Sequence, residues 1–342
     1  MFFYFTSIGG NVMKKLNLFL LSLLLMMGIL AGCGDTSENN ESNSDQEANT
    51  EQNDDVDNDE AKEEAFPVTL EDASGEEVTI EEEPEQIVTL IPSITELAFA
   101  LDLGDKVVGV SDHDNYPEEV LDKEKIGGLE LNTEKILSLE PDLVLAHPTN
   151  DADAIEQLRD SGLTVFVVND ATNFDEVYES IEMMAEVTGT EDKGEELITT
   201  MQDDLDAVAE KADEIDEDDM KNVYIEISPA PEIFTPGKNT FEDDILDILH
   251  AENVAKDEDG WVELSEEAVV EMNPDVIVLT YDYIENPVEE VMERKAWEDI
   301  DAVKDEQVYL VDTDLVSRPG PRLVEGAEEL GKAIYPEVFG EK

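Results

Sequence analysis

Two of the three histidines, and a loop that carries two of the four arginines, follow apolar runs of strand length. The histidines are His113 and His147, and Arg318 is the first arginine of the loop Ser-Arg-Pro-Gly-Pro-Arg at 317–322. An imidazole can contact a ligand or coordinate its metal, and a guanidinium offers paired donors to carboxylate or amide oxygens. These residues predict ligand binding, and the open alternatives are surface histidines and an ion pair of Arg318 with an acid.

Ligands of open parallel sheets bind beyond the carboxyl ends of the strands, so the predicted strands point to further candidates. Buried strands are predicted at 87–91, 107–110, 143–146, 165–168, 223–227, 276–280 and 308–311. The ligand-binding candidates near their ends are Pro92, Ser93, His113, Tyr116, His147, Phe234, Trp261, Tyr281, Asp314 and Arg318. Phe234 and Trp261 are predicted in loops, where they either pack on a ligand or fill the core.

One stretch of the chain occurs twice, as 131–145 and again as 264–278. Asn132 and Ser265 can cap a helix in each copy, and Glu134 and Glu267 then fall in its first turn, where negative charge is favoured. A Pro-Asp pair ends each helix, and an apolar run of strand length follows. The repeat predicts two related halves. The paired glutamates are either ordinary helix-start acids or a two-point contact for a partner with two basic pockets.

Helices are predicted between the strands, at 92–101, 151–160, 174–187, 241–250, 287–297 and 322–334, and a hairpin is predicted over 66–80. The stretch 191–217 lacks proline and has apolar residues at helical spacing, which predicts one long helix. The predicted fold class is α/β, with two doubly wound, Rossmann-like lobes, 66–190 and 218–342, bridged by that helix. A helical bridge disfavours a large hinge closure.

The chain of 342 residues contains 90 acidic and 20 basic residues, and its net charge is −70. This charge excludes nucleic acid as a natural partner and is typical of adaptation to a salty or alkaline exterior. We expect a monomer with no intrinsic cofactor and no metal site of its own. Because Gly-x-Ser-x-Gly, His-Glu-x-x-His and phosphate-loop motifs do not occur, an extracellular enzyme is a distant alternative.

Residues 1–32 are predicted to be a signal peptide, and Met13 is an alternative start. Two lysines precede the apolar run 16–30, which is short for a membrane span but suits secretion. The run closes with Leu-Ala-Gly-Cys at 30–33, which resembles the processing box of bacterial lipoproteins and implies lipid on Cys33, the only cysteine. Residues 33–65 are predicted to be a disordered acidic tether. We expect the folded part to lie outside the cytoplasmic membrane, anchored through Cys33.

From residue 66 to its end the chain resembles the substrate-binding proteins of ABC importers for cobalamin and iron complexes, the helical-backbone type, and is most similar to the cobalamin-binding branch. The resemblance rests on Pro-Ser-Ile-Thr-Glu at 92–96, Val-Gly-Val at 108–110, Tyr-Pro at 116–117, both copies of the repeat, Phe-Thr-Pro-Gly-Lys at 234–238 and the loop 317–322. It implies two lobes joined by a long helix, with the ligand between them.

In that branch, the glutamates that match Glu134 and Glu267 dock onto arginines of the permease. The resemblance also implies ligand contacts for the residues that match the family's positions, which are Phe234, Trp261, Asp314 and Arg318. By contrast, His113, Gly128 and His147 stand where that branch places aromatic residues.

We therefore expect a non-enzymatic, lipid-anchored receptor that delivers cobalamin, or a related corrinoid or metal chelate, to the permease and ATPase subunits of an ABC importer. A receptor for a ferric siderophore or haem is one alternative. A second alternative is a bare metal ion held by His113, His147 and a carboxylate such as Asp314.

Overall fold

Two parallel β-sheets organise residues 66–340, the part of the chain that the computed structural model describes. The predicted signal peptide, Cys33 and the acidic tether lie outside these residues. Between residues 66 and 340, no helix is both long enough and apolar enough to cross a bilayer.

The first half contains a five-stranded sheet flanked by helices. Its strands are β1 (Val68–Glu71), β2 (Glu77–Ile80), β3 (Ile87–Thr89), β4 (Val107–Val110), β5 (Glu124–Lys125), β6 (Leu143–Ala146) and β7 (Val165–Val167). Its helices are α1 (Pro92–Ala100), α2 (Thr133–Ser138), α3 (Ala152–Asp160) and α4 (Phe174–Thr188), with a 3₁₀ turn at Glu118–Asp122. The sheet order is β5-β4-β3-β6-β7, all parallel, while β1 and β2 form the predicted antiparallel hairpin.

The second half repeats this arrangement after the helix α5 (Glu191–Ala212). Its strands are β8 (Asn222–Glu226), β9 (Ile233–Pro236), β10 (Glu252–Asn253), β11 (Trp261–Leu264), β12 (Val276–Leu279) and β13 (Val308–Leu310). Its helices are α6 (Phe241–Ile248), α7 (Glu266–Met272), α8 (Pro287–Met292), α9 (Asp301–Lys304), α10 (Thr313–Ser317), α11 (Leu323–Ile334) and α12 (Pro336–Phe339), with 3₁₀ turns at Glu217–Asp219 and Lys295–Trp297. The parallel order β10-β8-β12-β13 confirms a second α/β sheet.

Helix α5 lies in the chain between the two sheets and packs against α4. A Cβ placed on Gly194 would lie 2.7 Å from the Cβ of Ala185, so the glycine permits the close approach of the two helices. The prediction that this helix continues to residue 217 is wrong, because it ends at Ala212. Six of the next seven residues, 213–219, are acidic, and negative charge at the carboxyl end of a helix opposes its dipole.

The Pro-Asp pair of the repeat has the same role in both halves. Asp142 Oδ2 accepts hydrogen bonds from the backbone amides of Glu85 (3.0 Å) and Gln86 (2.9 Å), just before the central strand β3. Asp275 Oδ2 accepts from the backbone amide and the side-chain amide of Asn222, both at 2.9 Å, at the start of β8. Each aspartate therefore fixes the beginning of a central strand.

Two local predictions were wrong. Phe234 and Trp261 lie in strands rather than loops, because β9 and β11 pair antiparallel, with Phe234 opposite Glu263. The helix predicted over 287–297 ends at Met292. Its continuation is interrupted at Arg294, whose backbone is extended and whose side chain turns inward to bond the buried Glu226.

Candidate functional site

A cavity of about 430 Å³ lies between the carboxyl ends of the two sheets. The first half contributes residues that follow β3, β6 and β7, and the second half contributes residues that follow β8, β12 and β13. The lining residues are Ile91, His147, Thr149, Asp170, Ile227, Phe241, Glu242, Trp261, Thr280, Tyr281, Tyr283, Thr313, Ser317 and Pro319. This is the position at which open parallel sheets bind ligands.

Three of the ten predicted ligand-binding residues, His147, Trp261 and Tyr281, line this cavity. The other seven, Pro92, Ser93, His113, Tyr116, Phe234, Asp314 and Arg318, lie outside its lining. Pro92 is the first residue of α1 and Ser93 is buried. His113 is exposed beside Gly128, where an added Cβ would lie 2.8 Å from its Nε2.

His147 is buried and held in one orientation at the end of β6. Its Nδ1 accepts a hydrogen bond from the backbone amide of Thr149 at 3.3 Å and lies 3.0 Å from the hydroxyl of the same residue. The Nε2 atom therefore carries the proton and lies 3.4 Å from Asp170 Oδ1. The hydrogen bond from His147 lowers the pKa of Asp170, so the first-half wall of the cavity carries a carboxylate.

A buried ion pair fixes the position of Tyr281. Its hydroxyl donates to Glu226 Oε1 at 2.6 Å, and Arg294 donates to both oxygens of that carboxylate, at 2.7 and 2.8 Å. Burial alone would lower the pKa of Arg294, but its hydrogen bonds to Glu226 and Glu290 raise it above the ordinary value. The Arg294 guanidinium also lies 4.3 Å from the ring centroid of Trp297. The ring of Tyr281 is thereby held in place at the cavity wall.

Glu242 is a cavity residue that the sequence did not reveal. It lies in the first turn of α6 and is 3% exposed. Its Oε1 accepts a long hydrogen bond, 3.5 Å, from Trp261 Nε1, and its Oε2 has no partner among the described residues. Burial raises the pKa of Glu242 to about 7. Because the chain has 90 acidic residues, a glutamate in the first turn of a helix does not stand out in the sequence as a cavity residue.

Arg318 lies at the edge of the cleft, where protein acceptors occupy its guanidinium. Its Nη1 lies 2.7 Å from Glu96 Oε1 and 2.8 Å from Asn115 Oδ1, and its Nη2 lies 2.8 Å from Asp314 Oδ1. Arg322 bonds both oxygens of the same Glu96, at 2.8 and 2.7 Å. These contacts join α1 of the first half to the loop before α11. They correspond to the ion-pair alternative for Arg318.

Tyr116 and the predicted docking glutamates lie on the surface. The ring centroid of Tyr116 lies 4.0 Å from the guanidinium of Arg322. Glu134 and Glu267 are exposed in the first turns of α2 and α7. The predicted caps are present, since Asn132 accepts from the Lys135 amide and Ser265 from the Ala268 amide. Helices α2 and α7 each lead into a parallel strand, β6 and β12.

Residues 66–340 contain no group of three or more His, Cys, Asp or Glu side chains arranged to hold a metal ion. The residues predicted to hold a bare ion do not contact one another: His147 lies beside Asp170, His113 lies beside Gly128, and Asp314 bonds Arg318 and Asn115.

The chain is similar to two curated relatives along most of its length. It is 49% identical over 323 residues, 94% of this chain and 97% of the relative, to YvrC, an uncharacterized ABC transporter substrate-binding lipoprotein of Bacillus subtilis (strain 168). It is 30% identical over 280 residues, 79% of this chain and 75% of the relative, to a cobalamin-binding protein of Halobacterium salinarum.

Solved structures have the same fold. A possible iron-binding (periplasmic solute-binding) protein of Staphylococcus epidermidis matches with a TM-score of 0.68 and 34% identity, over 74% of this chain and 100% of that protein. The periplasmic haem-binding protein RhuT of Roseiflexus sp. RS-1 matches with a TM-score of 0.67 and 26% identity, over 74% and 99%. The family model described as periplasmic binding protein matches residues 87–315. The chain therefore belongs to the periplasmic binding protein family, among the substrate-binding proteins of ABC transporters.

Proposed function

We propose that this protein captures a corrinoid such as cobalamin, or a related metal chelate, in the cleft and delivers it to the permease of an ABC importer. The observation that carries the proposal is the cavity between the two sheets, with Trp261, Tyr281 and Tyr283 as aromatic walls. Aromatic faces suit a large, flat chelate. The similarity to the cobalamin-binding protein of Halobacterium salinarum supports the same ligand class.

The proposal includes a lipid anchor on the outer face of the cytoplasmic membrane. The similarity to a Bacillus subtilis lipoprotein over 94% of the chain supports it, as does the sequence Leu-Ala-Gly-Cys that ends at Cys33. Globomycin, which blocks lipoprotein signal peptidase, would leave the precursor uncleaved, and Cys33→Ser would abolish incorporation of labelled palmitate into the protein. Equal palmitate labelling of the wild type and Cys33→Ser would contradict the anchor.

Tryptophan fluorescence tests ligand capture directly. Trp261 lines the cavity and is 44% exposed, whereas Trp297 is fully buried beneath it. Cyanocobalamin, ferrioxamine B and haemin are titrated separately into the purified protein, and calorimetry confirms each result. A bound chelate should quench the tryptophan fluorescence, and Trp261→Phe should reduce the quenched signal, because Trp297 is then the remaining fluorophore. Absence of calorimetric binding for all three probes would refute capture of a chelate.

Docking to the permease is assigned to Glu134 and Glu267, which are exposed at equivalent points of the two halves. Reversing both charges to lysine should abolish uptake in cells while ligand affinity stays unchanged, because neither residue lines the cavity. Asp153 and Glu325 are matched controls, since each is an exposed first-turn acid, one in each half. Equal uptake by the two double variants would disprove the docking assignment.

A ferric siderophore is the second candidate ligand, supported by the similarity to the possible iron-binding protein of Staphylococcus epidermidis. A bare metal ion has less support, because the described residues hold no cluster suited to one. The relatives are substrate-binding transport proteins, which favours a receptor over an enzyme.

A further inference from the structure

The buried carboxyl of Glu242 is the most unusual polar group of the cavity. The residue is 3% exposed, and Oε2 has no hydrogen-bond partner among the described residues. A buried oxygen without a partner is costly, whereas the indole of Trp261 offers Oε1 only a contact of 3.5 Å. A bound molecule that supplies a hydrogen bond would relieve this cost.

The described residues of the cavity wall offer this molecule no permanently cationic side chain. Among the described residues that line the cavity, there is no lysine or arginine, while Asp170 and Glu242 supply carboxyls and three threonines and a serine supply neutral hydroxyls. The guanidiniums at the cleft edge, Arg318 and Arg322, are bonded to Glu96. A ligand carboxylate would therefore lose its hydration without gaining a cationic partner.

An amide is the ligand group that fits Glu242 in either protonation state. Its carbonyl accepts a hydrogen bond from a neutral carboxyl, and its N–H donates to a carboxylate. A ligand carboxylate can pair only with the neutral form and is repelled by the charged one. Burial raises the pKa of Glu242 to about 7, so both forms of the side chain occur near neutral pH.

We propose that Glu242 binds an amide of the ligand and that the cleft selects metal chelates that bear amides and carry no net negative charge. This inference rests on the proposed function and narrows it. Corrinoids with amide side arms and cationic hydroxamate chelates satisfy the rule, whereas haem with two carboxylates and ferric citrate do not.

Matched pairs of probes test the rule by calorimetry on the full chain. Cyanocobalamin is compared with its monocarboxylate, in which one peripheral amide is hydrolysed, and ferrioxamine B with its succinylated derivative, in which a carboxylate replaces the ammonium. Haemin and ferric citrate complete the panel. The parent chelate that binds should bind about tenfold or more tightly than its carboxylate derivative, because the cavity repels the added charge.

Three variants connect this selectivity to Glu242. Glu242→Gln keeps a donor and an acceptor but removes the charge, so the preference for the parent chelate over its carboxylate derivative should fall about fivefold or more. Glu242→Leu should weaken the parent chelate about tenfold. Glu263→Gln is the control, because Glu263 is an exposed acid on the neighbouring strand β11. Thermal melts verify that each variant is folded.

The outcomes separate this inference from the receptor function. Tight binding of haemin or ferric citrate, or a preference that Glu242→Gln leaves unchanged, would overturn the charge rule while the protein remains a receptor. Failure of every chelate to bind would overturn both proposals. A preference for the parent chelate that falls in Glu242→Gln and persists in Glu263→Gln would establish the inference.

Discussion

Arg318 Nη1 lies 2.7 Å from Glu96 Oε1, although 222 positions separate the two residues in the chain. The Glu96 side chain is 3% exposed and also bonds Arg322, so one buried carboxylate holds two guanidiniums. The pairs cross from the first half to the second beside the cavity. They make Glu96 a fixed point between the two halves.

Removing the charge of Glu96 tests this role. Glu96→Gln leaves Arg318 and Arg322 without a charged partner in a largely buried site, so the free energy of unfolding should fall by about 3 kcal/mol. The control is Glu83→Gln, because Glu83 pairs with Lys106 at an exposed position and its loss should cost about 0.5 kcal/mol. Urea denaturation measures both. Equal losses in the two variants would show that the cluster contributes no more than a surface pair.

The raised pKa of Glu242 predicts a pH dependence of stability. Its ordinary value is 4.5 and its folded value is about 7, so between these values the folded state binds more protons than the unfolded state. Stability should therefore fall as the pH rises from about 4.5 to 7, and Glu242→Gln should flatten this slope. The charge of the neighbouring Asp243 also raises the pKa of Glu242, and it remains in the variant.

Melting temperatures of the wild type and Glu242→Gln, measured across this pH range, check the prediction. The control Glu263→Gln should keep the wild-type slope, because the exposed Glu263 carboxyl is in contact with water in both the folded and the unfolded protein. Parallel curves for all three proteins would refute a raised pKa at Glu242.

One backbone position of the repeat carries a less suitable residue in the first copy than in the second. The residue before the proline has a positive φ in both copies, 49° at Glu140 and 45° at Asn273. Asparagine tolerates this left-handed conformation better than glutamate, so Glu140→Asn should raise the free energy of unfolding by about 0.5 to 1 kcal/mol. The reverse change, Asn273→Glu, should lower it by more, because Asn273 also bonds Asp301. Chemical denaturation measures the free energy of unfolding of both variants. Destabilisation by Glu140→Asn would contradict the prediction.

The two aspartates of the repeat should contribute independently. Asp142→Ala and Asp275→Ala each remove two hydrogen bonds to a carboxylate and should each cost about 1 to 2 kcal/mol of unfolding free energy. Because the aspartates serve different sheets, the double variant should equal the sum within about 0.5 kcal/mol. Asp142→Asn keeps an acceptor and should cost less than Asp142→Ala. A double variant that costs much more than the sum would reveal coupling between the halves.

Much of the fold was predictable because continuous apolar runs of strand length are typical of parallel sheets. The strands 107–110 and 143–146 have the predicted bounds, and both helix caps of the repeat are present. Element ends were less predictable. The pair β9 and β11 was missed because each strand is short and its partner lies 25 or more residues away, so no local hairpin signal exists.

The cavity was predictable only in part. The rule about strand ends found His147 and Tyr281, since it depends on topology alone. Glu242 was missed because its importance comes from burial and from the lack of a partner, which depend on tertiary packing. For Arg318, the sequence context suggested a ligand contact, but its guanidinium bonds Glu96. This ion pair could not be predicted, because the two residues are distant in the chain.

The support beneath Tyr281 has a consequence for the entropy of binding. Because Glu226 and Arg294 fix this ring before any ligand arrives, its side-chain freedom is already lost, and binding there avoids a cost of about 0.5 to 1.5 kcal/mol. Tyr283 and Trp261, at 69% and 44% exposure, are less constrained by packing than the buried Tyr281. One rigid and two adjustable aromatic faces allow a single receptor to accommodate chelates of different outline.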